Sequence, residues 1–138
     1  MKRTGNWSNW VWIILVIVVL TIPVAAVAAE PGPCATEENI EKEIAKEAQL
    51  EALTCEFKKW EGGENLHFNV SLKNVSDSDQ RYKVNIFLDN GKAVGGLIPR
   101  QTNKGLVKPG ESASFTYPVK GMAKKPEALI IIVKTISE

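Results

Sequence analysis

Histidine and cysteine are scarce in this 138-residue chain: His67 is the only histidine, and Cys34 and Cys55 are the only cysteines. A lone histidine without a Ser-His-Asp or Cys-His arrangement leaves no general base with a reacting group in reach. Three potential soft ligands without a metal-binding spacing exclude a zinc site, and a cupredoxin-type copper centre needs a second histidine. The glycine pairs Gly62-Gly63 and Gly95-Gly96 are not set between a strand and a helix, so no phosphate-cradling loop is present. The sequence therefore predicts no enzyme, no cofactor and no bound metal, and reads His67 as an exposed residue on the polar face of a strand. Acidic residues are missing from the first 29 positions, and the formal net charge of the whole chain is only +1. That balance excludes a nucleic-acid partner.

One long segment has no charge at all. Trp10 to Ala29, WVWIILVIVVLTIPVAAVAA, is about 20 residues, enough to cross a bilayer core of roughly 30 Å as a helix. Lys2 and Arg3 precede it, so the positive-inside rule puts residues 1–9 in the cytoplasm and everything from Glu30 onward outside the cytoplasmic membrane. Trp7, Trp10 and Trp12 stand where interfacial aromatics anchor a retained helix. The competing reading is a cleaved signal peptide, for which Ala26-Val27-Ala28 and Val27-Ala28-Ala29 supply the small residues, and which would make the domain a secreted one.

Beyond the apolar run come 15 basic and all 16 acidic residues. Residues 30–36 contain Pro31-Gly32-Pro33, a joint that ends any helix leaving the membrane. Thr36 is placed to cap a second helix, with Glu37 and Glu38 against its positive end. No Gly or Pro interrupts residues 37–52, and Ile40, Ile44, Ala48 and Ala52 recur every four residues as a narrow apolar stripe on a charged surface. The sequence predicts an amphipathic helix here, with that stripe as a contact for a protein partner. Such a helix is roughly 24 Å long and separates the two cysteines, whereas a disulfide needs Cα atoms within about 4.4 to 6.8 Å. The cysteines are thus expected not to be bonded to each other; only a reversal near Ala48 to Glu51 would join them, and free thiols or a bridge from Cys34 to another chain are the other outcomes.

From Leu53 the apolar period becomes two. Leu53, Cys55 and Phe57 alternate with polar residues; Leu66, Phe68, Val70 and Leu72 do so again, then Tyr82, Val84, Ile86 and Leu88, then Ala113, Phe115, Tyr117 and Val119. Glu61-Gly62-Gly63-Glu64, Asp89-Asn90-Gly91 and Lys108-Pro109-Gly110-Glu111 are turns, because Gly and Asn accept positive φ and Pro presets the first turn position. Gly95-Gly96 should weaken or bulge its strand, and Leu129 to Ile136 should be a central or doubly covered strand. Six or seven short antiparallel strands predict a β-sandwich over residues 53–138, with a small barrel as the alternative. Phe68, Val70, Leu72, Val84, Ile86, Phe115 and Ile131 are its predicted core, and residues 53–138 are expected to fold without the preceding segment.

Three strings in this region, Val70 to Ser76 (VSLKNVS), Val84 to Gly91 (VNIFLDNG) and Leu106 to Phe115 (LVKPGESASF), resemble the immunoglobulin-like modules of prokaryotic cell-surface proteins of the FxLYD and CARDB type. The resemblance covers residues 66–136, about half of the chain. It implies a non-catalytic surface module and supplies no functional residues. The resulting expectation is a single-span membrane protein with an exported immunoglobulin-like domain for protein contacts. An accessory subunit of a larger membrane complex is the second reading, with assembly into a complex or oligomer through both helix and domain. A pilin-like filament subunit is the third, since Lys2-Arg3-Thr4-Gly5 is similar to a prepilin leader, although Asn6, Trp10 and Pro31-Gly32-Pro33 depart from that pattern.

Overall fold

The computed structural model describes residues 30–136. The membrane-span reading of Trp10 to Ala29 and the anchors Trp7, Trp10 and Trp12 lie outside the described residues, and none of the described helices is long and apolar enough to cross a membrane. Within the described residues the fold is mainly β and sandwich-like. The strands are β1 (Gly32–Pro33), β2 (Ile40–Ile44), β3 (Ala48–Trp60), β4 (Gly63–Asn74), β5 (Tyr82–Leu88), β6 (Ala93–Ile98), β7 (Ser112–Val119) and β8 (Leu129–Thr135). They form two sheets, in the order β1-β3-β4-β7 and β2-β8-β5-β6. All pairings are antiparallel except β2 with β8, which is parallel.

The alternating segments pack as their period dictates. Leu66, Phe68, Val70 and Leu72 of β4 face Tyr82, Val84 and Ile86 of β5 and Ile131 and Val133 of β8 in one core, all at most 1% exposed. Of the seven predicted core residues, Phe115 alone is half-buried at the margin. The Asp89-Asn90-Gly91 turn forms as read, with Gly91 at φ 80° and the Leu88 amide bonded to the Lys92 carbonyl at 2.9 Å. Lys108 to Glu111 also closes as a turn, Gly110 at φ 76°. At Gly95 and Gly96 the ladder with β5 continues without the expected bulge. Gly95 is required there because an added Cβ would stand 2.0 Å from the Val84 carbonyl oxygen.

Residues 37–52 are not a helix. Glu37–Asn39 form one 3-10 turn, Ile40–Ile44 lie beside β8, and Ala48 opens the long strand β3. A four-residue spacing puts side chains on one face of a helix, and it does the same on a strand, whose period of two divides four. Ile40 and Ile44 therefore pack against the core from β2, Ala48 is buried in β3, and Ala52 follows it in β3, so these residues do not make one helical stripe. A bulge between Leu50 and Ala52 shifts the register, so Ala48 and Leu50 pair with Asn74 and Leu72 while Leu53 and Cys55 pair with Val70 and Phe68. The extra residue, Glu51, interrupts the alternation that would have marked the strand. The chain reverses at Lys46-Glu47, where the Ala48 amide bonds to the Ala45 carbonyl, without Gly or Pro.

With the helix gone, the cysteine expectation reverses as well. β1 pairs Gly32 with Cys55, which brings Cys34 to a Cα distance of 4.9 Å from Cys55, and the two form a disulfide. Both are buried in the core. The sandwich therefore begins at β1, before the residue 53 that the sequence reading takes as its start.

Candidate interaction surface

The outer face of the first sheet carries an ordered polar network. Alternation along β3 and β4 turns Glu56, Lys58 and Trp60 and Asn65, His67, Asn69 and Ser71 away from the core, with Glu56 opposite His67. Thr116 of β7 stands opposite Asn69. The Thr116 hydroxyl donates to Asn69 Oδ1 at 2.8 Å, Asn69 Nδ2 donates to Glu56 Oε1 at 3.0 Å, and Lys58 Nζ pairs with the same oxygen at 2.7 Å. Hydrogen bonds from Lys58 and Asn69 hold the Glu56 carboxyl below its ordinary range, against a smaller opposing effect of burial.

His67 lies on the polar face as predicted but is only 7% exposed, which corrects the reading of it as an exposed residue. The Trp60 ring meets it edge-on at 6.5 Å. Its Nδ1 is 2.9 Å from the Asn65 carbonyl oxygen, an acceptor, so Nδ1 carries a proton and Nε2 is the acceptor of the neutral ring. Among the described residues no nucleophilic side chain is hydrogen-bonded to it. Among the described residues no group of three or more His, Cys, Asp or Glu is placed to hold a metal ion.

A cleft of about 560 Å³ opens along the side where β6 and β7 meet, lined by Trp60, Val94, Leu97, Arg100, Phe115, Tyr117 and Pro118 with the backbone of Gly95 and Gly96. The Arg100 guanidinium carbon sits 5.4 Å from the Phe115 ring centroid, and Phe115 tilts against Tyr117 at 4.9 Å. The Lys120 ammonium lies 4.9 Å from the Trp60 ring centroid and is ion-paired to Glu61. Burial raises the Tyr117 phenol far above its ordinary value, and its hydroxyl is the one buried side-chain polar atom among the described residues without a hydrogen-bond partner. Tyr82 contrasts with it: also raised by burial, to about 12, with the Glu47 carboxylate adding to the effect, it donates to the Glu47 carbonyl at 2.9 Å.

The sequence reading placed Phe115 and Tyr117 on one strand face and Gly95-Gly96 in another strand, but did not bring them together as a cleft. Trp60, Arg100 and Pro118 carry no motif, and only topology joins them. Asn69-Val70-Ser71 and Asn74-Val75-Ser76 match the glycosylation sequon, but Asn69 belongs to the polar network and Asn74 is fully buried. Asn74 Nδ2 donates to the Ser78 and Val107 carbonyls at 2.7 and 2.8 Å while its Oδ1 accepts from the Ser76 amide and hydroxyl, which ties the β4–β5 and β6–β7 loops together. No family model, no curated protein and no solved structure matches the chain.

Proposed function

We propose that this chain is a single-span membrane protein whose exported, immunoglobulin-like sandwich makes protein contacts and carries out no reaction of its own. The observation that carries the reading is the buried Cys34–Cys55 disulfide. Disulfides persist in oxidising compartments outside the cytoplasm, the side to which Lys2, Arg3 and the uncharged run from Trp10 to Ala29 direct the rest of the chain. Only Glu30 and Pro31 separate the end of that run from β1, so the domain would stand close to the membrane surface. Two antiparallel-rich sheets and the turn strings quoted above support an immunoglobulin-like module, and the cleft and polar face supply contact surface.

Topology tests the reading. A tag fused after Glu138 should be removed by protease added to intact spheroplasts. A tag that survives until the membrane is permeabilised overturns it.

The accessory-subunit reading draws support from Phe87 and Ile130, directly opposite each other on β5 and β8 and exposed at 44% and 37%. Exposed cross-strand apolar pairs of this kind suit a packed partner. Gel filtration of protein extracted in mild detergent distinguishes the two: a monomer alone rejects the subunit, and a larger complex favours it.

A further inference from the structure

Among the described residues β7 pairs only with β4 and β6 only with β5, so each presents one side of its backbone to no other described strand. Such an edge is a template for another strand unless proline, charge or a bulge blunts it. Pro118 and Lys120 blunt the far end of β7. Ser112 to Tyr117, SASFTY, contains neither proline nor charge.

The cleft wraps this edge. Trp60, on the outer face beside His67, and Pro118, opposite His67, wall one side of it; Phe115 and Tyr117, on the inner face, wall the other. A strand added to β7 would send successive side chains to those two faces in turn, and the cleft offers an aromatic contact to each. The backbone of Gly95 and Gly96 leaves room beside it. At Gly96 an added Cβ would come 3.2 Å from the Tyr117 ring, so the floor is already filled by that ring.

Charge selects the occupant. Arg100 lies against the aromatic wall, no carboxylate is among the described residues that line the cleft, and the ion pairs among the described residues include none to Arg100, whereas Lys120 beside Trp60 is already paired with Glu61. The buried Tyr117 hydroxyl is a donor in want of an acceptor.

We propose that the seam between β6 and β7 receives an extended, acidic segment of a partner protein. Its main chain pairs with the Ser112–Tyr117 edge, its apolar side chains lie on Phe115 and Trp60, and its carboxylate meets Arg100. The proposal rests on the protein-contact reading above and names the partner chemistry.

The test uses the full chain in detergent micelles, immobilised and panned against a display library of random short peptides. Enriched peptides should alternate apolar residues with Asp or Glu, and a synthetic copy should bind at least about tenfold more weakly to Arg100→Glu, the scale of one lost charge-assisted contact. Methylating alternate backbone nitrogens of that peptide should abolish binding. Circular dichroism checks that the variant keeps its fold, and Arg100→Gln, which removes the charge without reversing it, replaces it if it does not. Peptides that bind Arg100→Glu and the native chain equally, or that tolerate methylation, overturn the seam proposal and leave the contact-module reading standing. Enrichment of no peptide overturns the seam proposal and leaves the contact-module reading to the topology test above. Arg100-dependent binding of oligogalacturonate without any enriched peptide assigns the cleft to an acidic glycan and also overturns the proposal.

Discussion

β4 and β3 are neighbours in one sheet and are held there by different means. Leu66, Phe68, Val70 and Leu72 of β4 are fully buried, and β4 has a strand on each side, so apolar burial and pairing along both edges keep it in place without a covalent link. β3 is only partly buried along its first half, contains a bulge, and has just the two residues of β1 on its outer flank. It is secured by the turn at Lys46-Glu47, by β4, and by the covalent link from Cys55 to Cys34. The contrast separates a region stabilised by packing from one stabilised by cross-linking, and each can be broken independently.

Truncation at the centre of β4 should have the largest effect. Phe68→Ala should cost about 3–5 kcal/mol, measured by urea unfolding, whereas Phe115→Ala, half-buried at the seam, should cost clearly less. Equal costs would mean that the seam is as tightly packed as the core. Next is the link itself: Cys34→Ala combined with Cys55→Ala closes no loop in the unfolded chain and should lower stability by about 2–4 kcal/mol, with the strand content seen by circular dichroism retained. Asn74→Ala, at the end of β4, removes the Nδ2 donor to the Ser78 and Val107 carbonyls, which keep only Ser76 Oγ and the Gln80 amide, together with the Oδ1 acceptor of the Ser76 amide, and should cost about 1–3 kcal/mol. The smallest effect should come from Glu56→Gln. The native Glu56 carboxyl is lowered from 4.5, so its contribution is present above that pH and is lost as pH falls through the lower folded value. The variant should therefore match the native protein at low pH and fall slightly below it near neutrality in paired pH–stability curves.

How much of this could be read beforehand follows the same division. β4, β5 and β7 were legible because each buries one face on a period of two, β8 because its continuous apolar run marks a central strand, and Asp89-Asn90-Gly91 and Lys108 to Glu111 state their turns in residues that only those turns need. β2 and β3 were not. Ile40 and Ile44 are spaced four apart, which helix and strand satisfy alike, and the good helix formers around them give way to pairing with β8. Glu51 hides the continuity of β3 by shifting its phase, and a reversal without Gly or Pro at Lys46-Glu47 left the two cysteines looking far apart. The candidate cleft was still less legible: Trp60, Arg100 and Phe115 are far apart in sequence and become neighbours only where two sheet edges meet. His67 was assigned the right face and the wrong exposure, since only the structure brings Trp60 across it.

Non-reducing peptide mapping of the full chain, extracted from its native compartment with thiols blocked during lysis, tests the central claim most directly. The account predicts one peptide pair, linked between Cys34 and Cys55 within a single chain, in essentially all of the protein. Free thiols would contradict the placement of the domain in an oxidising compartment, and a Cys34 bridge to another chain would contradict the β1–β3 pairing that sets Cys34 beside Cys55.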